Sequence, residues 1–212
     1  IFADRQDAGR QLAARLRHLE TEPQTLVLAL PRGGVPVAAE IAKSLHLPLD
    51  VLVVRKLGAP GQPELAMGAI ASGGAVVMNP EVRAYFSDQE ELIDAITKRE
   101  QQELQRREQL YRGKRPPLSA KDCTTIVVDD GAATGATMRA AVQALRVLQA
   151  KQIIVALPVC SVEAEQVLRK EADVVVCLET PRAFYAVGQW YDDFGQTSDD
   201  EVRRLLDENA KP

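Results

Sequence analysis

The sequence predicts an α/β fold: a doubly wound, mostly parallel sheet with helices on both faces. Short apolar runs typical of fully buried strands alternate along the chain with stretches of helical periodicity. Three turns rich in glycine or in charged residues, at 31–34, 55–64 and 129–137, each follow a predicted strand. Ligands of such folds bind outside the carboxyl ends of the strands, so we expect one site there, built from all three turns.

Apolar periodicity predicts the elements of the first half. They are a helix over 4–19, a strand over 25–30, a helix over 35–45, a strand over 49–54, an apolar run over 66–71 and a strand over 75–78. Residues 57–64 contain two glycines and two prolines, which predicts an irregular loop rather than a helix or a strand. Gly73-Gly74 predicts a tight turn, and Asn79-Pro80 predicts the start of another helix.

A long charged helix is predicted over 87–112, with Ser87 and Glu90 as a capping box. Its apolar stripe is thin and consists of Ile93, Ile96, Leu104 and Tyr111. So little apolar surface predicts either a largely solvated arm or a helix that packs on a partner subunit. We therefore expect the stretch 79–117 to be an insertion or a dimerisation arm, and a homodimer in the second case.

The second half continues the alternation. Strands are predicted over 126–128, 152–157 and 173–178, and helices over 138–148, 162–172 and 199–208. We predict one domain over 1–212, with a core at about 1–78 and 118–180, a helical insertion at about 79–117 and a tail at about 181–212.

Composition excludes several classes of protein. The net charge of −4 provides no basic surface for nucleic acid, and no run of 18 apolar residues predicts a membrane span. The charged, amphipathic start of the sequence is unlike a signal peptide. Cys123, Cys160 and Cys177 are widely spaced and predict buried, reduced thiols. We therefore expect a cytoplasmic protein.

The most informative stretch is 126–138, IVVDDGAATGATM. Three β-branched apolar residues predict a strand buried on both faces, and Asp129 and Asp130 follow it directly. Gly131 and Gly135 allow tight backbone conformations and close approach of a ligand to the chain. A helical pattern then begins, so this stretch predicts a strand, a glycine-containing turn and a helix.

The turn and the acidic pair favour different ligand groups. Thr134 and Thr137 offer hydroxyls at the start of a helix, where unpaired N–H groups and the positive end of the dipole favour a phosphate. Asp129 and Asp130 repel a phosphate and suit a polyol or a cation. A sugar 5-phosphate with free ring hydroxyls has both kinds of group.

Two other interpretations of this stretch remain open. It could be an ordinary strand, turn and helix, although adjacent carboxylates at a strand end repel each other unless something binds them. It could also be the acidic pair of a phosphoacceptor receiver domain. That domain needs a later Asp at a strand end and a Lys beyond it, whereas here Glu179 follows the strand and the next lysine is Lys211.

The stretch 126–138 resembles the phosphoribosyl pyrophosphate (PRPP) binding motif of type I phosphoribosyltransferases, and the resemblance extends over about residues 25–180. It implies that Asp129 and Asp130 hold the ribose hydroxyls. It implies Mg²⁺ held mainly by ligand oxygens, with the same two carboxylates as the protein's contribution. It also implies a 5-phosphate site formed by Gly131, Ala132, Ala133, Thr134, Gly135, Ala136 and Thr137.

Two cationic stretches complete this resemblance. In Pro31-Arg32-Gly33-Gly34, the glycines expose N–H groups and Arg32 can form a fork on phosphate oxygens, although a plain structural turn would look the same. The resemblance makes Arg32, Gly33 and Gly34 the pyrophosphate loop. It makes Arg55 and Lys56 further pyrophosphate contacts, at the hinge of a flexible loop that closes over the site. The alternative for the pair is a solvated strand end.

The tail is aromatic-rich in a chain with few aromatic residues. Its run FYAVGQWYDD is similar to the segment that covers the base in hypoxanthine-guanine phosphoribosyltransferases. This similarity implies that Tyr185 stacks on a base, that Asp192 contacts it, and that Trp190 contributes to the same site. The aromatic residues could instead only cover the core.

The resemblance implies an enzyme that moves 5-phosphoribosyl from PRPP to a nitrogen acceptor, a nucleobase above all, with release of pyrophosphate. Asp129, Asp130, Arg32 and Lys56 would be its catalytic residues, and Mg²⁺ its cofactor. The acceptor stays open between a purine, a pyrimidine and another amine. The alternative function is a regulatory protein that binds PRPP or a nucleotide without catalysis. Both functions predict small-molecule ligands, and neither a nucleic acid nor a membrane.

Overall fold

The structure, a computed structural model, describes residues 1–210, so Lys211 and Pro212 of the predicted tail lie outside the described residues. Seven α-helices and eight strands lie within that range. In chain order they are α1 (Arg5–Arg15), β1 (Thr25–Ala29), α2 (Gly34–Leu45), β2 (Leu49–Val51), β3 (Val54–Ala59), β4 (Gln62–Ala71), β5 (Ala75–Met78), α3 (Pro80–Ala84), α4 (Glu90–Arg112), β6 (Thr124–Val128), α5 (Ala136–Val147), β7 (Gln152–Val159), α6 (Val162–Glu171), β8 (Val174–Glu179) and α7 (Asp199–Glu208).

The central sheet has five parallel strands in the order β2-β1-β6-β7-β8. The chain runs outward from β1 to β2 on one side, and from β6 to β8 on the other. The order therefore reverses between β1 and β6, and ligands of doubly wound sheets bind at this reversal. Ala29 lies opposite Val128, so the loops that follow β1 and β6 begin at the same level.

Helices cover both faces of this sheet. Val27, Ile126 and Ile154 lie in the core cluster that contains the buried residues of α1, α2 and α7. Val127 and Val155, on the opposite face, lie in the cluster that contains those of α5 and α6. Burial on both faces explains why these strands are continuous apolar runs. The predicted doubly wound α/β class is confirmed.

A second sheet corrects the sequence-based prediction for 57–64. Strands β3, β4 and β5 form an antiparallel sheet, so most of this stretch is a hairpin and not an irregular loop. The pairing of β3 with β4 shifts register on either side of Gly58. Pro63 lies where β4 pairs with β3 alone, an edge position that tolerates a missing N–H. The predicted strand over 49–54 is also divided, because β2 and β3 belong to different sheets.

Helix α4 differs from its prediction in two ways. It begins at Glu90 after Gln89, and no side chain caps it, so the predicted Ser87 capping box is wrong. It is also not a solvated arm, because Ile93, Leu104 and Tyr111 are buried in the core of their own chain.

The apolar residues of α4 alone predict too small a packed face, because buried charged residues enlarge that face. Glu100 pairs with Arg55 of β3, and Arg112 pairs with Asp50 of β2. Helix α4 thus packs on its own chain through apolar and charged residues together, and the homodimer stays a prediction.

Within residues 1–210, no helix is both long enough and apolar enough to cross a membrane.

Candidate functional site

The acidic pair follows β6 at the point where the strand order reverses. The Asp130 N–H donates to Asp129 Oδ1 at 2.8 Å. Arg5, the first residue of α1, donates from Nε to Asp130 Oδ2 at 2.9 Å, and its Nη2 lies 2.8 Å from the same oxygen. Among residues 1–210, no arginine, lysine or histidine lies within ion-pair distance of Asp129. The two carboxylates therefore have different surroundings.

Burial controls the electrostatics of this pair. It raises the pKa of Asp129 well above its ordinary value, and the neighbouring negative charge of Asp130 raises it further. Burial also raises the pKa of Asp130, and the guanidinium of Arg5 offsets part of this rise. A hydroxyl donor or a cation placed beside Asp129 would lower its pKa and stabilise the ionised form.

The loop after β1 packs directly on the acidic pair. A Cβ atom at Gly33 would lie 2.1 Å from Asp130 Oδ2, and one at Gly34 would lie 2.6 Å from the Val128 carbonyl oxygen. Neither position has a positive φ, so both glycines are required by the close approach. The structure thus brings together the predicted turns 31–34 and 129–137.

Arg32, in the same loop, is only loosely held. Its Nη1 lies 3.7 Å from Asp199 Oδ1 at the start of α7, and both side chains are more than one third exposed, at 38% and 43%. An exposed ion pair of this length contributes little to stability, so the guanidinium of Arg32 is available to an anion.

The turn before α5 combines a fixed base with several exposed residues, and one of its N–H groups, that of Ala136, donates to Thr134 Oγ1 at 3.3 Å. Its base is anchored because the Ala132 N–H donates to the Val159 carbonyl and Ser161 Oγ donates to the Ala133 carbonyl. Gly135 precedes the helix with a φ of 75°. Four residues of the turn are exposed: Ala133, Thr134, Ala136 and Thr137. Because the N–H of Ala132 is already bonded, this residue is not a phosphate donor as the sequence implied.

Arg55 and Lys56, the expected pair of pyrophosphate contacts, have different surroundings. Both lie on β3, where successive side chains point to opposite faces. Arg55 donates to Glu100 of α4 at 2.9 and 2.6 Å, whereas Lys56 is exposed. Arg55 is therefore engaged by Glu100 whereas Lys56 is not, although both residues line one cavity beside α4, and both belong to a strand rather than to an irregular loop.

The tail reaches the acidic pair through residues that the sequence did not single out. The hydroxyl of Tyr191 donates to the Asp130 carbonyl at 2.6 Å. Phe194 stacks on Tyr191, and the guanidinium of Arg5 lies 4.0 Å from the centre of the Phe194 ring. A Cβ atom at Gly131 would lie 2.6 Å from a methyl group of Val187. The tail thus covers one side of the site.

The three tail residues predicted to contact a base lie in different surroundings. Tyr185 is 83% exposed. Trp190 packs on the small cluster of Phe2 and Tyr191, and Asp192 is exposed while its N–H donates to the Phe2 carbonyl. Sequence reasoning missed Arg5 and the contact of Tyr191, because their partners lie far away along the chain.

The donor set fits Mg²⁺ held mainly by ligand oxygens. Carboxylates are the hard oxygen donors that Mg²⁺ prefers, and Asp129 has no cation of its own within the described chain. No group of three or more His, Cys, Asp or Glu side chains with metal-binding spacing occurs in residues 1–210. The protein would therefore supply two carboxylates at most, and bound phosphate oxygens and water would complete the coordination.

Comparison with known proteins gives a consistent result. The phosphoribosyl transferase domain model matches residues 3–194. Proteins from two strains of Mycobacterium tuberculosis, named provisionally as phosphoribosyl transferases, are 49% identical over 207 residues, which is 98% of this chain and 46% of theirs. A crystal structure from Thermus thermophilus has a TM-score of 0.88 at 41% identity, with 99% of both chains covered.

The fold and the site define a class, that of α/β proteins with a ligand crevice at a reversal of strand order. The family match is more specific and covers most of the sequence. The chain belongs to the phosphoribosyl transferase domain family, and the resemblance found in the sequence is confirmed. The chain spans about half the length of the curated relatives it matches.

Proposed function

We propose that this chain is a Mg²⁺-dependent phosphoribosyltransferase, which moves 5-phosphoribosyl from PRPP to a nitrogen acceptor with release of pyrophosphate. The observation that carries the proposal is the contact between the two loops at the strand reversal. One loop offers an exposed turn before a helix and an acidic pair, and the other offers Arg32 beside two close-packed glycines. A phosphorylated sugar with a pyrophosphate leaving group matches both loops.

The turn before α5 would bind the 5-phosphate. The N–H groups of residues 133–135 and 137 lie at or just before the N-terminus of a 12-residue helix, where an anion is favoured, whereas that of Ala136 already donates to Thr134 Oγ1. Asp129 and Asp130 would accept hydrogen bonds from the ribose hydroxyls. Two such anchors at opposite ends of the sugar would fix the orientation of its C1 atom.

Electrostatics would then favour the transfer step. The C1–O bond to pyrophosphate breaks, its electron pair leaves with pyrophosphate, and the nitrogen lone pair forms the new C1–N bond. The acceptor nitrogen loses its proton to solvent. Arg32, the N–H group of Gly33 and Lys56 would stabilise the departing anion, while the acidic pair lies near the developing positive charge. The N–H of Gly34, which the sequence also implied, is not available because it donates to the Leu30 carbonyl at 3.1 Å. When bound, Mg²⁺ supplies further positive charge to the pyrophosphate oxygens.

The acceptor would be a nucleobase or another amine, and Tyr185, Trp190 and Asp192 are its candidate contacts. Aromatic faces suit a planar base, and a carboxylate accepts hydrogen bonds from its N–H groups. Small-molecule substrates, a homodimer and a cytoplasmic location complete the proposal.

The test measures pyrophosphate release and calorimetric PRPP binding with Mg²⁺, for the wild type and for Asp129→Asn/Asp130→Asn. We expect both signals in the wild type and neither in the double variant. The matched control is Asp88→Asn/Asp94→Asn, which makes the same charge change at two exposed positions. Full activity in the double variant at the acidic pair would refute the assignment.

One observation favours a second function. Because Glu100 already pairs with Arg55, one of the two cations expected from β3 to contact pyrophosphate is engaged within the protein. A regulatory protein that binds PRPP or a nucleotide without catalysis fits this reduced charge. PRPP binding without pyrophosphate release, across a panel of bases and amines, would identify it.

A further inference from the structure

Arg5 connects three parts of the molecule at the acidic pair. Its guanidinium donates to Asp130 Oδ2 from Nε, and to the Gly195 carbonyl from Nη1 at 2.6 Å. The same group lies over the ring of Phe194. Only 11% of the Arg5 side chain is exposed, and 16% of that of Asp130. A largely buried arginine thus holds α1, the acidic loop and the tail together.

The position of Arg5 on its helix is electrostatically unfavourable. Arg5 is the first residue of α1, and a cation at a helix N-terminus opposes the positive end of the helix dipole. Helix stability therefore does not explain an arginine here. The hydrogen bonds to Asp130 do explain it, because a fork of N–H donors matches a carboxylate.

Arg5 also determines how Asp130 is oriented. Both contacts from Arg5 reach Oδ2, the oxygen closest to Gly33. Oδ1 therefore receives no hydrogen bond from Arg5. Adjacent carboxylates repel each other, and a cation that holds one of them keeps the two side chains together.

We propose that Arg5 is a positioning residue of the transferase site, which fixes the Asp130 carboxylate so that the acidic pair can hold the ribose. This inference rests on the proposed function. Arg5 acts on the ligand only through Asp130, so its contribution to PRPP binding should disappear when Asp130 is replaced by Asn. A double-mutant cycle measures this dependence directly.

The experiment compares PRPP binding with Mg²⁺, and kcat and KM, for Arg5→Met, Asp130→Asn and the double variant. We expect Arg5→Met to weaken PRPP binding about 10- to 100-fold, the effect of losing hydrogen bonds to a charged group. The same change in the Asp130→Asn background should weaken binding less than about threefold. Equal losses in both backgrounds would overturn the inference, because they would mean that Arg5 contacts the ligand itself.

Two further variants separate positioning from folding. Arg5→Lys keeps the charge without the fork, and we expect binding between that of the wild type and that of Arg5→Met. Arg10→Met removes an exposed arginine from the same helix and should bind like the wild type. Trp190, the single tryptophan, lies beside Tyr191, so its fluorescence reports whether the tail stays docked. If Arg5→Met does not fold, wild-type affinity in Arg5→Lys would overturn the inference.

The outcomes also distinguish this inference from the proposed function. If the wild type binds no PRPP, the proposed function fails and the positioning role fails with it. If the wild type binds PRPP and Arg5→Met binds equally well, only the role of Arg5 fails.

Discussion

Two pairs of adjacent like charges, Asp129-Asp130 and Arg55-Lys56, show how this chain treats charged residues near its candidate site. In each pair, one member is held by an opposite charge from another element, Arg5 for Asp130 and Glu100 for Arg55. Within residues 1–210, the other member has no ion-pair partner. In each pair, one side chain is thus fixed by its partner, and the other has no competing ion pair within these residues.

The pairs differ in burial, and this difference sets the size of the expected effects. The acidic pair lies beneath the loop after β1 and against the tail, so its charges interact strongly. The cationic pair lies on the smaller sheet, with Lys56 exposed and Arg55 partly so. Substitutions in the acidic pair should therefore have the larger effects.

The largest effect is expected for single substitutions of the acidic pair, which should change stability in opposite directions. The raised pKa of Asp129 means that its ionised form is disfavoured in the folded state at neutral pH, so Asp129→Asn should raise the free energy of unfolding by about 1 kcal/mol. Burial raises the pKa of Asp130 as well, but Asp130→Asn leaves the largely buried guanidinium of Arg5 without its carboxylate. This loss should outweigh the gain and lower the free energy of unfolding by about 1 kcal/mol. Both variants should bind PRPP more weakly than the wild type, by an amount that calorimetry can still measure.

Urea unfolding and calorimetry of the same preparations would measure these changes. If both variants changed the free energy of unfolding in the same direction, the ion pair with Arg5 would not distinguish Asp130 from Asp129.

The next largest effect is expected for Gly33→Ala. Its Cβ atom would lie 2.1 Å from Asp130 Oδ2, so the carboxylate must move away from Arg5. We expect PRPP binding to weaken about tenfold or more, and the free energy of unfolding to fall by about 1–3 kcal/mol. Gly195→Ala is the control, because its Cβ atom would have an ordinary contact at 3.4 Å. Wild-type affinity in Gly33→Ala would contradict the close approach of the two loops.

A smaller effect is expected in the cationic pair. Arg55→Met leaves the buried Glu100 with Arg99 as its remaining cation, so the free energy of unfolding should fall by about 1–2 kcal/mol. Lys56→Met should change it by less than about 0.5 kcal/mol, because the side chain is exposed. Only Lys56→Met should lower the affinity for inorganic pyrophosphate without a loss of stability. Thermal unfolding and pyrophosphate titration would measure both effects. If Arg55 were the ligand contact, Arg55→Met would lower the affinity for pyrophosphate and Lys56→Met would not.

The smallest effect is expected at the exposed pair of Arg32 and Asp199. Asp199→Asn should change the free energy of unfolding by less than about 0.5 kcal/mol, because both side chains are more than one third exposed. The amide oxygen can still accept the hydrogen bond from Tyr111. A loss above 1 kcal/mol in urea unfolding would show that Arg32 is held as firmly as Asp130.

The sequence predicted the elements whose burial leaves a local pattern. Strands β1 and β6 were located to within two residues, because burial on both faces makes each a continuous apolar run. The hairpin of β3 and β4 was missed because its glycines and prolines indicate a loop locally. Its contacts with α4 come from residues farther along the chain.

The candidate site likewise has parts that the sequence predicts and parts that it does not. The turns at 31–34 and 129–137 could be predicted because each motif is contiguous in sequence. The partnership of Arg5 and Asp130 could not, since 125 positions separate the two residues and nothing near Arg5 indicates a carboxylate. The ion pair of Arg55 could not be predicted either, because its partner Glu100 lies 45 positions away.

The pairing of β1 with β6 has a consequence for folding kinetics. Thr25 faces Thr124, whereas β3 and β4 meet across a short turn. Closing a loop of roughly 100 residues costs about 2 kcal/mol more chain entropy than closing one of roughly 10. The hairpin should therefore form early, and the ligand crevice only when the distant strands meet. A ligand of this crevice should slow unfolding and leave the rate of folding almost unchanged.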